Sequence, residues 1–250
     1  MPDGFAPAAA VALNVIVAVA FATEAAIGFG AVLITLALGS LVTPLDELLH
    51  AIVPLNLALS AGVLARSWRH VDARALGTRI LPAMAVGFPI GVIAFERLPR
   101  AAAQMGLGVF VLLLGAIELV RQLRAPAEER ALPRGVGLSL LFLGGVLHGA
   151  FATGGPPVVY VCGRTMPDKY VFRGTLAALW LLLGAVLIVT WLRGGHLGAA
   201  SLRRSALLVP GLVMGLAGGE IVHGRLPQRA FRIVVFAMLV IVGAVLALRA

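Results

Sequence analysis

The stretch GAFATGGPPVVYVCG, residues 149–163, places two consecutive glycines and two consecutive prolines inside an apolar run. A proline in a helix interior removes a backbone hydrogen bond and clashes with the preceding turn. Glycine adds its own loss of helix propensity. A chain that needed only a continuous helix here would not carry all four residues together. The stretch therefore predicts an interrupted helix, broken over 152–157, with backbone groups left open at the interruption.

The surroundings make that prediction unusual. The 250 residues are 60% hydrophobic and 12% charged, with a mean hydropathy of +1.02. Soluble domains carry about 25% charged residues, so this chain lacks the polar surface that water requires. Several apolar runs approach the ~20 residues needed to cross a bilayer. The net charge of +9 sits mainly between apolar runs, where basic residues hold loops in the cytoplasm. It is a topology signal, and no nucleic-acid partner is expected. Cys162 is the single cysteine, which excludes a disulfide framework and a thiolate metal cluster. The opening MPDGFAPAAA lacks the basic start of a secretory signal peptide.

Eight apolar segments lie near 8–42, 48–65, 77–95, 101–121, 136–163, 174–192, 205–222 and 230–248. The sequence RAPAEERALPR at 124–134 divides them four and four. Sliding 80–122 onto 208–250 without a gap brings Pro82 onto Pro210, Gly87 onto Gly215 and Gly91 onto Gly219. Arg97-Leu98-Pro99 meets Arg225-Leu226-Pro227, and Gly115-Ala116 meets Gly243-Ala244. With small shifts His70 falls on His196 and Pro44 on Pro167. Shared leucines would mean little in such a composition; shared prolines and glycines mean more. The expected organisation is a first repeat over 1–124, a central linker over 125–134 and a second repeat over 135–250. The fold class is an all-α polytopic membrane protein with the first segment of each repeat broken or re-entrant. Internal repeats of this kind are typical of transporters. Orientation stays open: segments that all cross and segments that re-enter give different charge distributions, and the bias mildly favours re-entry with both termini outside.

The first segment of each repeat is too long. At about 1.5 Å per residue, 8–42 and 136–163 both exceed the ~30 Å hydrocarbon core. The break in the second falls at 152–157, and the matching place in the first is EAAIGFG, 24–30. Open backbone at membrane depth is tolerated only where protein or a water-lined cavity surrounds it. A helix that restarts there presents free N–H groups and the positive end of its dipole, a ready anion site. Two such breaks facing each other would bind an anion through backbone. The candidate substrate-binding residues are Gly28, Gly30, Asn56, Thr153, Gly154, Gly155, Pro156 and Tyr160. Each glycine has a structural alternative, since small residues let membrane helices pack closely. Asn14 and Asn56 are interhelical hydrogen-bonding residues or substrate contacts. The candidates for coupling are Glu24, His148 and Arg173. An intramembrane carboxylate is costly and functional by default, although Glu24 also suits an ion pair. His148 is a packing residue or a proton relay. Arg173 is a loop charge or a cation lining the path. No metal motif, nucleophile elbow or phosphate loop is present, and no cofactor is expected.

The stretches IGFGAVLITLALGSLVTPLDELLHAIVPLNLALSAGVL (27–64) and GAFATGGPPVVYVCG (149–163), set on a duplicated four-segment unit, resemble the sulfite exporter TauE/SafE family, also called TSUP. The resemblance runs from about residue 10 to the C-terminus. The more specific motif is Gly154–Tyr160; the first is degenerate at Gly28-Phe29-Gly30-Ala31, where members often carry a fuller glycine run. The resemblance implies a multi-pass protein of the bacterial plasma (inner) membrane that moves sulfite or organosulfonates. The reading is a secondary transporter working by alternating access around a midplane site, with a small anion and the lipid bilayer as partners and a second copy of the chain as a further candidate. It is not expected to be an enzyme. The rival readings are a non-transporting membrane subunit and an intramembrane enzyme built on His148 or Glu24.

Overall fold

The computed structural model describes residues 4–97, 99–124, 132–166 and 168–225, with scattered positions between 233 and 248. The described residues are helical, without a strand among them. Helix α1 (Pro7–Ile27) is followed by the short α2 (Ala31–Gly39), then by α3 (Leu45–Ser67). A 3-10 turn at Trp68–His70 leads to α4 (Ala73–Ala75), which passes through a π-helical turn, Leu76–Ile80, into α5 (Leu81–Arg97). Helix α6 spans Arg100–Leu123. The second half opens with α7 (Arg134–Phe151) and the short α8 (Gly155–Thr165), followed by α9 (Lys169–Arg193), α10 (Ala199–Leu207) and α11 (Val209–Arg225). The eighth segment, at 230–248, lies largely outside the described residues, as do Pro167 and residues 125–131 of the linker.

Among the described residues, five helical stretches are long and apolar enough to cross a membrane: Pro7–Ile27, Leu45–His70, Ala73–Arg97, Arg134–Phe151 and Lys169–Arg193. The pair α10 and α11, bent by 47°, makes a sixth if taken as one span. Outward faces carry apolar side chains at helical spacing, for example Val11, Val15 and Val19 on α1 and Val109, Leu113 and Ile117 on α6. Contiguous apolar surface of this extent is unsuited to water and suited to lipid. The chain is thus an all-α polytopic membrane protein.

The local sequence explains the ends. Pro7 stands in the first turn of α1, where a missing N–H costs nothing. Asp46 and Glu47 occupy the first turn of α3 and Arg66 the last, each placed favourably in the helix dipole. Pro54 does not interrupt α3. Asn14 holds the α10/α11 bend: Nδ2 donates to Leu207 O at 3.0 Å and Oδ1 accepts from Gly211 N at 2.9 Å. Of its sequence alternatives, interhelical hydrogen bonding is the one observed.

Asp168 caps α9 outside the membrane, its Oδ1 accepting from Tyr170 N at 2.7 Å and Val171 N at 3.0 Å. The amides of Val171 and Tyr170 hold its carboxyl below the usual carboxylate range. The folded value lies below the unfolded one, so the stabilisation is complete above the unfolded value and is lost as pH falls through the folded one. Asp168→Ala is expected to lower the thermal midpoint at neutral pH, with the difference from wild type shrinking in strong acid. A pH series of melting curves checks this.

Long-range packing pairs α1 with α11, α5 with α7 and α3 with α9. The first two pairs are tight because glycines face backbone. A Cβ at Gly91 would lie 1.9 Å from Val146 O, and one at Gly87 would lie 2.2 Å from Phe142 O. On the other side, a Cβ at Gly219 would lie 2.6 Å from Ala22 O and one at Gly215 would lie 2.8 Å from Ala18 O.

Candidate functional site

Both predicted breaks are present, and each follows the same plan. Helix α1 ends when Gly28 turns left-handed (φ 90°) and donates its N–H to Glu24 O at 2.7 Å. Gly30 is also left-handed (φ 114°), and α2 restarts at Ala31. Left-handed backbone is the condition that favours glycine. Helix α7 ends when Ala152 turns left-handed (φ 52°) and donates to His148 O at 2.8 Å. Helix α8 restarts at Gly155. The turning residue of the second break is an alanine, a choice that carries backbone strain.

The glycines after Ala152 therefore serve contact. A Cβ at Gly154 would lie 2.4 Å from Gly144 O, so Gly154 packs flush against α7. The three atoms nearest a Cβ at Gly155 all belong to the Phe29 side chain, the first at 3.3 Å. Pro156 and Pro157 fill the second and third positions of α8 and have no N–H to offer. The open donors of this helix start, which begins at Gly155, are consequently confined to the neighbourhood of Gly154 and Gly155, and among the described residues no side chain bonds them.

The two breaks face one narrow hollow with a cavity volume of ≈ 10 Å³, room for about one water. Gly30, Val32 and Leu33 line it from the first break, and Ala152, Thr153, Gly154 and Gly155 from the second. Glu24, Phe29, Asn56 and Trp180 complete the wall. Asn56 is 8% exposed, and its Oδ1 has no hydrogen-bond partner. A buried polar atom without a partner is costly and marks a place that a ligand or water fills. Glu24 is buried, and its Oε2 accepts from Ala31 N at 2.8 Å, capping α2 from the preceding helix. The site is therefore not built from backbone alone, as the sequence suggested: a carboxylate already rests on one of its two helix starts.

Other candidates fall beside the hollow. Gly28 shapes the first break, and its carbonyl accepts from Trp180 Nε1 at 2.9 Å. Pro156 lines a neighbouring cavity with Phe29, Leu33 and Phe236. Tyr160 lies under two guanidinium groups, Arg164 at 4.1 Å and Arg121 at 5.2 Å from its ring centre. His148 is 2% exposed and both its ring nitrogens lack a partner; the ring stacks on Trp180 at 5.5 Å. Arg173 is not a loop charge: it is buried within α9 and pairs with Glu220 of α11. Glu24 and His148 occupy matched positions, each four residues before the left-handed residue of its break, a match that alignment of neighbouring residues did not reveal.

Sequence reasoning missed Trp180 and Phe29. Trp180 ties the α7 side, through His148, to the first break, through Gly28. Trp180→Phe keeps an aromatic face but removes the indole N–H and part of the ring, leaving the Gly28 carbonyl bare at a cost of about 1–3 kcal/mol besides the lost packing. A fall in the thermal midpoint of detergent-solubilised protein is the expected result; an unchanged midpoint would mean the bond holds nothing.

Comparison with known proteins agrees with the geometry in kind. The profile of the family described as sulfite exporter TauE/SafE matches residues 10–246. The chain is 28% identical over 237 residues to the "Probable sulfite/organosulfonate exporter TauE" of Cupriavidus necator, covering 92% of this chain and 90% of that one. It is also 28% identical over 179 residues to the "Probable inner membrane transporter protein TsaS" of Comamonas testosteroni, covering 71% of this chain and 73% of that one. No solved structure matches.

Proposed function

The chain belongs to the sulfite exporter TauE/SafE family, and from that premise we propose that it is a secondary transporter of small organosulfur anions, sulfite or organosulfonates, in the bacterial inner membrane. The observation that carries this reading is the hollow itself. Two interrupted helices start on it, and Asn56 Oδ1 lies buried beside it without a partner. Helix starts favour negative charge through their free N–H groups and their dipoles. An oxyanion whose oxygens point in several directions can accept from both starts at once. Gly30, Asn56, Thr153, Gly154 and Gly155 are its proposed contacts; Gly28, Pro156 and Tyr160 stand outside that first layer. Export is the direction that the name of the Cupriavidus necator relative suggests.

The proposed mechanism is alternating access between units 1–124 and 135–250. Reciprocal packing supports it: the first helix of each half lies against the third main helix of the other, α1 on α11 and α7 on α5. The glycines that permit both contacts, Gly87 with Gly91 and Gly215 with Gly219, are those that superpose in the sequence. Helices α3 and α9, the second of each half, meet each other.

Purified protein in liposomes is expected to take up labelled sulfite and ethanesulfonate saturably, without ATP, and in preference to a carboxylate of similar size. Failure to move any of the three by folded protein would overturn the reading.

A further inference from the structure

The two helix starts on the hollow differ in one respect. Among the described residues no side chain bonds the amides of Gly154 or Gly155 at the start of α8, whereas α2 starts with the Glu24 carboxylate on the Ala31 amide. Glu24 is 6% exposed and borders the same space as Gly154 and Gly155. It is thus an ionisable carboxyl of the protein's own, seated where a negative solute would be attracted. We propose that Glu24 is a tethered competitor of the transported anion, holding the start of α2 when the site is empty and taking up one proton when the anion binds. This rests on the anion site proposed above.

The reasoning is electrostatic. Two anions cannot share a dry site without one being neutralised, as paired carboxylates show when they hold a single proton between them. A neutral carboxyl on Glu24 removes the repulsion and frees the Ala31 amide for the solute. The unpartnered Asn56 Oδ1 can then accept a hydrogen bond, from the carboxyl or from a protonated ligand.

The surroundings offer no substitute for that proton. Helix α2 carries no titratable side chain, and α3 contributes the neutral Asn56. Arg173 of α9 is paired with Glu220 of α11, and His223 Nδ1 donates to Ala26 O at 2.6 Å. On α7, His148 faces Trp180. Among the described residues no cation pairs with Glu24. A monovalent sulfonate would then bind and move with one proton, without net charge.

The test is calorimetric titration of the purified protein with ethanesulfonate, in buffers of different ionisation enthalpy, from about pH 5 to about pH 9. Ethanesulfonate stays ionised throughout, so any pH dependence belongs to the protein. Proton uptake approaching one per anion is expected on the alkaline side, where affinity falls about tenfold per pH unit. Glu24→Gln keeps a carbonyl to cap Ala31 and is expected to bind with no proton uptake and a flat pH profile. Wild-type binding without proton uptake would overturn the proposal, and this needs no variant to fold. So would a slope that survives in Glu24→Gln but disappears in His148→Phe. If the wild type binds neither ethanesulfonate nor sulfite at any pH, the anion site itself is wrong and Glu24 competes with nothing.

Discussion

Gly155→Leu is expected to abolish anion transport while leaving folded protein in the membrane. The atoms nearest a Cβ at Gly155 belong to the Phe29 side chain, the first at 3.3 Å, and a shift of that side chain by a few tenths of an ångström admits it. The rest of the leucine side chain enters the hollow over the amides at the start of α8. Two charge-assisted hydrogen bonds lost there, at about 1.5–3 kcal/mol each, weaken binding by a hundredfold or more. Uptake of labelled sulfite into liposomes, with size-exclusion profiles of the same preparation, measures both halves of the prediction. Gly154→Leu, one residue earlier, should behave differently. Its Cβ would lie 2.4 Å from Gly144 O, a backbone atom that cannot step aside, and the variant is expected to misfold. Equal behaviour of the two variants would contradict the account of the second break.

Gly91→Ala is expected to cause the largest loss of stability of any glycine-to-alanine change among the described glycines. Its Cβ would sit 1.9 Å from Val146 O and 2.8 Å from Ala150 N, so α5 and α7 would have to separate. Overpacking of this kind costs about 1–3 kcal/mol and sometimes more. Gly219→Ala, against Ala22 and Ala25 of α1, should fall by a comparable amount. Gly106→Ala, with nothing within 4 Å, is the control and should melt at or above wild type, since alanine is the better helix former. Thermal melting in one detergent ranks the three. If Gly91→Ala melts with Gly106→Ala, the helices are not in backbone contact.

The interrupted helices were legible in the sequence because glycine and proline act through their own backbone. An excess of length over the bilayer called for strong tilt or a break in each first segment, and GFG and GGPP pointed to breaks and said where. The left-handed residue of the second break was not legible: Ala152 adopts that conformation against its own preference because the fold around it requires the turn. The contact at Gly154 was hidden for a related reason, since its partner Gly144 lies across the turn. Trp180 carried no signal at all. Its hydrogen bond reaches Gly28, 152 residues away, and a tryptophan in an apolar helix reads as core. Tyr160 was chosen for its place beside the motif, but the α8 helix carries its ring to Arg164 and Arg121. The intramembrane carboxylate stood out in the sequence as a costly group. That it would cap a helix start seven residues later followed only from the left-handed path through Gly28 and Gly30.

Selenite, a heavier analogue of sulfite, offers the most direct test of the anion site. A crystal of the protein grown with selenite and measured at the selenium absorption edge locates the anion without interpretation of weak density. The account predicts an anomalous peak in the hollow, within hydrogen-bonding reach of the amides near Gly154 and Gly155. A peak elsewhere, with that hollow empty in protein that transports, would contradict it.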